Sequence, residues 1–206
     1  MSENDDFSDL LPSLSPDELR LMGEELRAIS SRGDDLAIAS GEYFILWGLV
    51  LAGGAFYNAF EYFGYLPPFP VALPQAIIGW GGTFIISRVR RNRLFMTWKT
   101  QVISGTWMFA GISILVYVIG CGMTGQSNSM MQTAFLAVVY GMVMSVTATA
   151  SHYRWLWYPA SGWLLTALAT FFMPSEATRM LLYGIVATIC TVVPGIILAR
   201  EERKLT

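Results

Sequence analysis

Between Tyr43 and Ala199 the sequence holds only two acidic residues, Glu61 and Glu176. A soluble domain carries roughly 25% charged residues, whereas this whole chain carries 14%. The long middle stretch therefore cannot dress a water-facing surface. Histidine and cysteine are scarce as well. His152 is the single histidine, and without Cys or acidic neighbours it is a poor metal ligand. Cys121 and Cys190 make neither a disulfide framework nor a zinc-type spacing. Cys190 falls in an apolar run, where a thiol behaves as a small hydrophobe. No metal and no cofactor is expected. No secretory leader is expected, because the first 18 residues are acidic and lack a basic n-region. The first hydrophobic helix is thus expected to insert as an internal anchor.

What fills the chain instead is apolar sequence, 54% of all residues. Six stretches, about 43–63, 72–88, 102–122, 131–150, 155–173 and 179–199, approach or reach the roughly 17–25 mostly apolar residues that a spanning helix needs. The second is the shortest, bounded by LPPFP (66–70) and Pro74, which cannot continue a helix. Short gaps make successive helices antiparallel neighbours. Lipid offers the backbone no hydrogen-bond partners, so each span must satisfy itself as a helix. The expected fold is all-α: a polytopic membrane protein with six transmembrane helices in three antiparallel hairpins. In this division residues 1–14 form a disordered acidic tail, 15–40 a cytoplasmic helical head, 41–200 the transmembrane domain and 201–206 a cytoplasmic tail.

The basic residues orient this arrangement. SRVRRNR (87–93) places Arg88, Arg90, Arg91 and Arg93 between two apolar runs. With the N-terminus inside, twelve basic residues fall on the cytoplasmic side and Arg179 alone on the other, a bias that puts both termini in the cytoplasm. A nucleic-acid role would need a basic face on a soluble module, so it is excluded. The cluster suits anionic lipid headgroups, at about 1 kcal/mol per basic residue near the surface.

The head carries its own helix signals. Ser15 caps, Pro16 suits the first helical position, and Glu18 completes a capping box. Leu19, Met22, Leu26 and Ile29 then recur at helical spacing. One short amphipathic helix cannot fold alone. This stripe must rest on the membrane surface, on the bundle or on a protein partner.

Within the spans, Ile77-Ile78-Gly79-Trp80-Gly81, Val138-Val139-Tyr140-Gly141 and Leu181-Leu182-Tyr183-Gly184 each place an aromatic-glycine pair after branched aliphatics. Three hairpin repeats would generate that pattern. Gly141, Ser145 and Thr149 are spaced by four and share a helix face, as do Gly48, Ala52, Ala55 and Ala59. Such stripes let helix backbones approach closely, with the hydroxyls free to bond across; a polar solute path is the other reading. Pro194 is expected to kink the last span and leave carbonyls near Cys190 and Thr191 seeking partners.

Tyr57, Asn58 and Glu61 are the candidate polar residues of the first span. Glu61 lies about 27 Å past Tyr43 at 1.5 Å per residue. It is either an interfacial residue in contact with water or part of an outward vestibule with Tyr57 and Asn58. His152 sits among Tyr153, Trp155, Trp157 and Tyr158, a composition that suits a membrane-interface belt. No catalytic residues are assigned. Ser161 in PASGW lacks the glycine two positions earlier that a serine-protease motif has, and Glu201-Glu202 follows the last span.

The stretch RAISSRGDDLAIASGEYFILWGLVLAGGAF (27–56) resembles small, uncharacterised bacterial inner-membrane proteins, in which a short cytoplasmic helix leads into a Gly/Ala-rich first span. The resemblance implies a bacterial inner membrane and brings no activity with it. Two functional expectations follow. One is a non-enzymatic accessory or regulatory membrane protein that engages a membrane or cytoplasmic partner, or a second copy of itself, through its head helix and basic loop. The other is a small-solute binding or transport subunit with an outward-facing pocket. A solid bundle of aromatics and Met favours the first; a connected outward cavity favours the second.

Overall fold

A computed structural model describes residues 17, 20–25, 41–90, 98–125, 128–151 and 153–205. The expected acidic tail, Leu19, Leu26, Ile29, Arg91, Arg93 and His152 lie outside the described residues. Every regular element among the described residues is helical. In chain order these are α1 (Gly41–Tyr62), α2 (Ala72–Arg90), α3 (Trp98–Thr124), α4 (Ser129–Ala150), a 3₁₀ turn (Arg154–Leu156), α5 (Trp157–Thr170), α6 (Glu176–Ala187), a π-helical segment (Thr188–Val192) and α7 (Val193–Leu205). Residues 20–25 are helical as well.

Four of these helices are long and apolar enough to cross a membrane: α1, α3, α4 and the continuous stretch Glu176–Lys204 through α6, the π segment and α7. The remaining two expected spans are helical but depart from that standard for different reasons. α2 carries Pro74, Gln75 and Thr83 and ends in Arg88 and Arg90, so it is more polar than a typical span. α5 has 14 residues, about 21 Å of helix. Its expected first turn winds as the 3₁₀ turn, and Phe171-Phe172 turn out of the helix before Pro174.

The core forms where α1 lies antiparallel to α6 and α7. Gly41 meets the Gly195 carbonyl and Ala199, Gly48 meets Val192 and Thr191, and Gly184 meets Phe56. At Gly48 the approach is close enough that a Cβ would stand 2.7 Å from Val192 Cγ2. The small-residue stripe of α1 is what makes this possible, and Gly48, Ala52, Ala55 and Ala59 are all buried. On its other side α1 takes α2, with Gly79 under the Trp47 ring and Gly82 under Leu46. α4 packs on α5 and α3, and also touches α6.

Pro194 has the effect its sequence position implies, in a specific form. It offers no N–H to the Cys190 carbonyl, and the preceding turn widens to π geometry, with the Val193 N–H donating to the Thr188 carbonyl. Polar side chains inside the bundle are handled locally. Thr133, Thr147, Thr166, Thr170 and Thr188 each donate to the carbonyl four residues earlier, which satisfies hydroxyls that packing removes from solvent.

Candidate functional site

An aromatic column runs through the middle of the bundle. Phe44 meets Trp107 edge-on at 5.2 Å, and Trp107 meets Tyr140 at 6.2 Å. Tyr140 stacks on Trp163 at 5.2 Å, and Trp163 meets Tyr183 at 5.0 Å. Five helices contribute to it. Phe44, Tyr140, Trp163 and Tyr183 are all buried, so ring-on-ring packing joins the five helices in the bundle interior.

Three tryptophans anchor successive helix pairs in the same way. The indole N–H of Trp47 on α1 donates to Thr83 on α2 at 3.0 Å, that of Trp107 on α3 to Thr147 on α4 at 3.3 Å, and that of Trp163 on α5 to Thr191 in the π segment at 3.2 Å. Each of these rings also meets an aromatic of the partner helix edge-on: Trp80, Tyr140 and Tyr183 respectively. These partners are the aromatic residues of the three aromatic-glycine pairs. The repeated sequence pattern therefore coincides with a repeated pair of contacts.

A second polar centre closes one end of the bundle. Arg179 in the first turn of α6 is buried; its Nη1 donates to the Met173 carbonyl at 2.7 Å and its Nη2 to Ser129 Oγ at 3.4 Å. Ser129 Oγ in turn donates to Glu176 Oε1 at 2.7 Å. The Arg179–Glu176 ion pair itself is long, at 3.9 Å. The Tyr62 hydroxyl faces the same carboxylate from the end of α1. Two side-chain caps finish the local structure: Asn128 accepts from Met130 and Met131 N–H, and Ser175 accepts from Thr178 N–H, as expected of N-cap residues. The cluster ties the starts of α4 and α6 to the chain leaving α5. Sequence reading counted Arg179 only as the lone basic residue of its side. Its partner was legible, because Glu176 stands three residues earlier and is one of only two acids in the apolar stretch; Ser129 was not, because it is 50 residues away.

The candidate residues read from the sequence are distributed over this framework. Tyr57 donates its hydroxyl to the Pro67 carbonyl at 3.0 Å and packs its ring against Phe69 at 5.9 Å. The proline loop thus folds back along α1 at the vestibule position, while Asn58 and Glu61 are half-buried nearby. Gly141 lies against Leu164 and the Ala160 carbonyl of α5. Ser145 and Thr149 donate to the carbonyls of Gly141 and Ser145 within α4. Their hydroxyls therefore do not bridge helices. Met22 is exposed beside Arg20, which pairs with Glu24 at 3.3 Å. Arg88 is exposed near the end of α2. Among the described residues no cluster of three His, Cys, Asp or Glu side chains is placed to hold a metal ion.

No protein-family model matches the chain, and neither a curated protein nor a solved structure is significantly similar to it.

Proposed function

We propose that the chain is a six-span protein of a bacterial inner membrane, with both termini cytoplasmic, that works without catalysis as an accessory or regulatory subunit. It engages its partner through the head helix and the basic loop after α2. The observation that carries this reading is the aromatic column. Phe44, Trp107, Tyr140, Trp163 and Tyr183 fill the bundle interior with stacked and edge-on rings, so function is directed to the surfaces. Tyr57, a residue of the alternative solute vestibule, already spends its hydroxyl on the Pro67 carbonyl.

Six crossings are supported by the polar cluster. α4 ends at Ala150, one residue before Ser151, and α5 must return the chain to the Ser129 end, where the Met173 carbonyl and Arg179 meet Ser129. The segment that leaves one end of α4 and arrives at the other is the 3₁₀ turn, α5 and the turn at Phe171-Phe172 taken together. The cytoplasmic placement of the termini rests on the excess of Lys and Arg at the Arg88, Lys99, Arg154 and Arg200 end.

The test is an affinity pull-down in mild detergent, comparing the full chain with one lacking residues 1–33. A protein partner that is captured by the full chain and lost on truncation is the expected result. Absence of a protein partner with either form, together with a small molecule found in the purified protein by mass spectrometry, would overturn the reading in favour of solute binding.

A further inference from the structure

We propose that the crevice between α2 and α3 at the basic end of the bundle binds an anionic phospholipid, with Arg88 holding the headgroup phosphate. α2 leans on α1 and α3 leans on α4, and the two meet where the Trp80 ring covers Gly111; a Cβ there would stand 3.3 Å from Trp80 Cη2. Toward the basic end each helix continues this face at helical spacing. On α2 the face carries Trp80, Phe84 and Arg88, at i, i+4 and i+8. On α3 it carries Gly111, Met108 and Ser104, at i, i−3 and i−7. Trp80, Phe84 and Met108 are 48%, 64% and 55% exposed, so about half or more of each side chain is left uncovered by the described chain.

Arg88 and Ser104 each lie two turns from the crossing, about 10–12 Å along their helices. The two helices run in opposite directions, so they bring these residues to the same level. The result is an apolar cleft with a cation at its mouth. Ser104 and the exposed Gln101 give the facing wall a polar edge, the Ser104 hydroxyl being bonded to the Gln101 carbonyl.

Charge selects the occupant. Between Glu61 and Glu176 the sequence contains no acidic residue, so neither wall of the crevice carries a carboxylate; the acids of the described helices at this end, Glu42 on α1 and Glu201 and Glu202 on α7, belong to other helices. Apolar walls call for hydrocarbon, and the guanidinium calls for an anion, its paired N–H groups donating to phosphate oxygens. A lipid with a phosphate headgroup and no compensating cation satisfies both. Arg91 and Arg93 add positive charge in the sequence but lie outside the described residues and are not part of the site. The inference does not depend on the partner reading.

The test is native mass spectrometry of the full-length protein in mild detergent, titrated with phosphatidylglycerol or phosphatidylcholine. Three proteins are compared: the unchanged chain, Arg88→Gln, and Arg200→Gln as an exposed basic control at the same end. Phosphatidylglycerol is expected to bind in preference to phosphatidylcholine. Arg88→Gln should weaken it about fivefold, and Arg200→Gln should leave it unchanged. Equal binding of the two lipids, or no effect of Arg88→Gln, overturns the site. An equal loss in both variants also overturns it, since that is diffuse attraction to positive charge. Displacement of the lipid by free glycerophosphoglycerol at matching concentration would sink the lipid assignment, because the headgroup alone would then suffice.

Discussion

Trp163 donates its indole N–H to Thr191 Oγ1 across 3.2 Å, joining α5 to the π-helical segment 28 residues later in the chain. Both residues are fully buried. The bond gives the buried indole N–H an acceptor, and it does so at the turn next to Pro194. Replacing Trp163 with Phe removes the donor and shrinks the ring between Tyr140 and Tyr183. The expected loss is about 1–3 kcal/mol, read as a lower midpoint in thermal unfolding of the purified protein. Thr191→Val should lose less, and the double variant should lose less than the sum of the two. Strict additivity would mean the bond contributes nothing.

Gly48 and Gly53 make a matched pair on one helix. A Cβ on Gly48 would meet Val192 at 2.7 Å, whereas nothing lies within 4 Å of one on Gly53. Gly48→Ala should lower the unfolding midpoint because backbone and a β-branched side chain stand in the way. Gly53→Ala should hold or raise it, by up to about 1 kcal/mol from helix propensity. Similar behaviour of the two variants in the same assay would argue against this register of α1 on the π-helical segment.

Proline in a helix interior ordinarily costs about 3 kcal/mol relative to alanine, so Pro194→Ala would be stabilising if the widened turn were only an accommodation. Here the extra residue in the turn sets the rotation of α7, which places Gly195 against Gly41 and buries Leu198. Recovering a regular helix would turn these residues by about 100°. Pro194→Ala is therefore expected to leave stability level or reduce it. A clear rise in the unfolding midpoint would show that the π segment has no part in packing.

Arg179 is nine-tenths buried while Glu176 is nearly half exposed, so the guanidinium owes its place more to the Met173 carbonyl and Ser129 than to the long ion pair. Arg179→Ala should cost about 1–2 kcal/mol. Hydrogen exchange should quicken at the starts of α4 and α6 and stay unchanged at α7. Arg179→Lys should not restore protection, because one ammonium does not span both acceptors. Full rescue by lysine would reduce the cluster to simple charge.

The course of α5 can be read with membrane-impermeant thiol reagents, after replacing Cys121 with Ser and Cys190 with Ala. Phe172→Cys should label in intact cells. Arg154→Cys should label only after permeabilisation. Both positions are exposed. Labelling of the two from the same side would place α5 along the membrane rather than through it and reduce the number of crossings.

Helix existence was readable along the chain because it is a local property: runs of apolar residues, opened near Pro74, closed before Pro174 and separated by short polar gaps, specify helices in any environment that withholds water. The small stripe of α1 was readable for the same reason, since residues four apart share a face whatever the partner is. Pro194 announced a disturbance, because the missing N–H belongs to the residue itself. Tertiary structure decided the rest. The form of the disturbance, a π turn, is seen only in the fold, where the segment packs against Gly48 and Trp163 from other helices. The aromatic-glycine pairs hinted at a repeat, but their tryptophan partners stand on preceding helices, and only packing could match Trp47 with Thr83, Trp107 with Thr147 and Trp163 with Thr191. Sequence alone determined that the chain is helical and apolar. The arrangement of those helices around a buried aromatic cluster came from contacts between residues too far apart for any local pattern to encode.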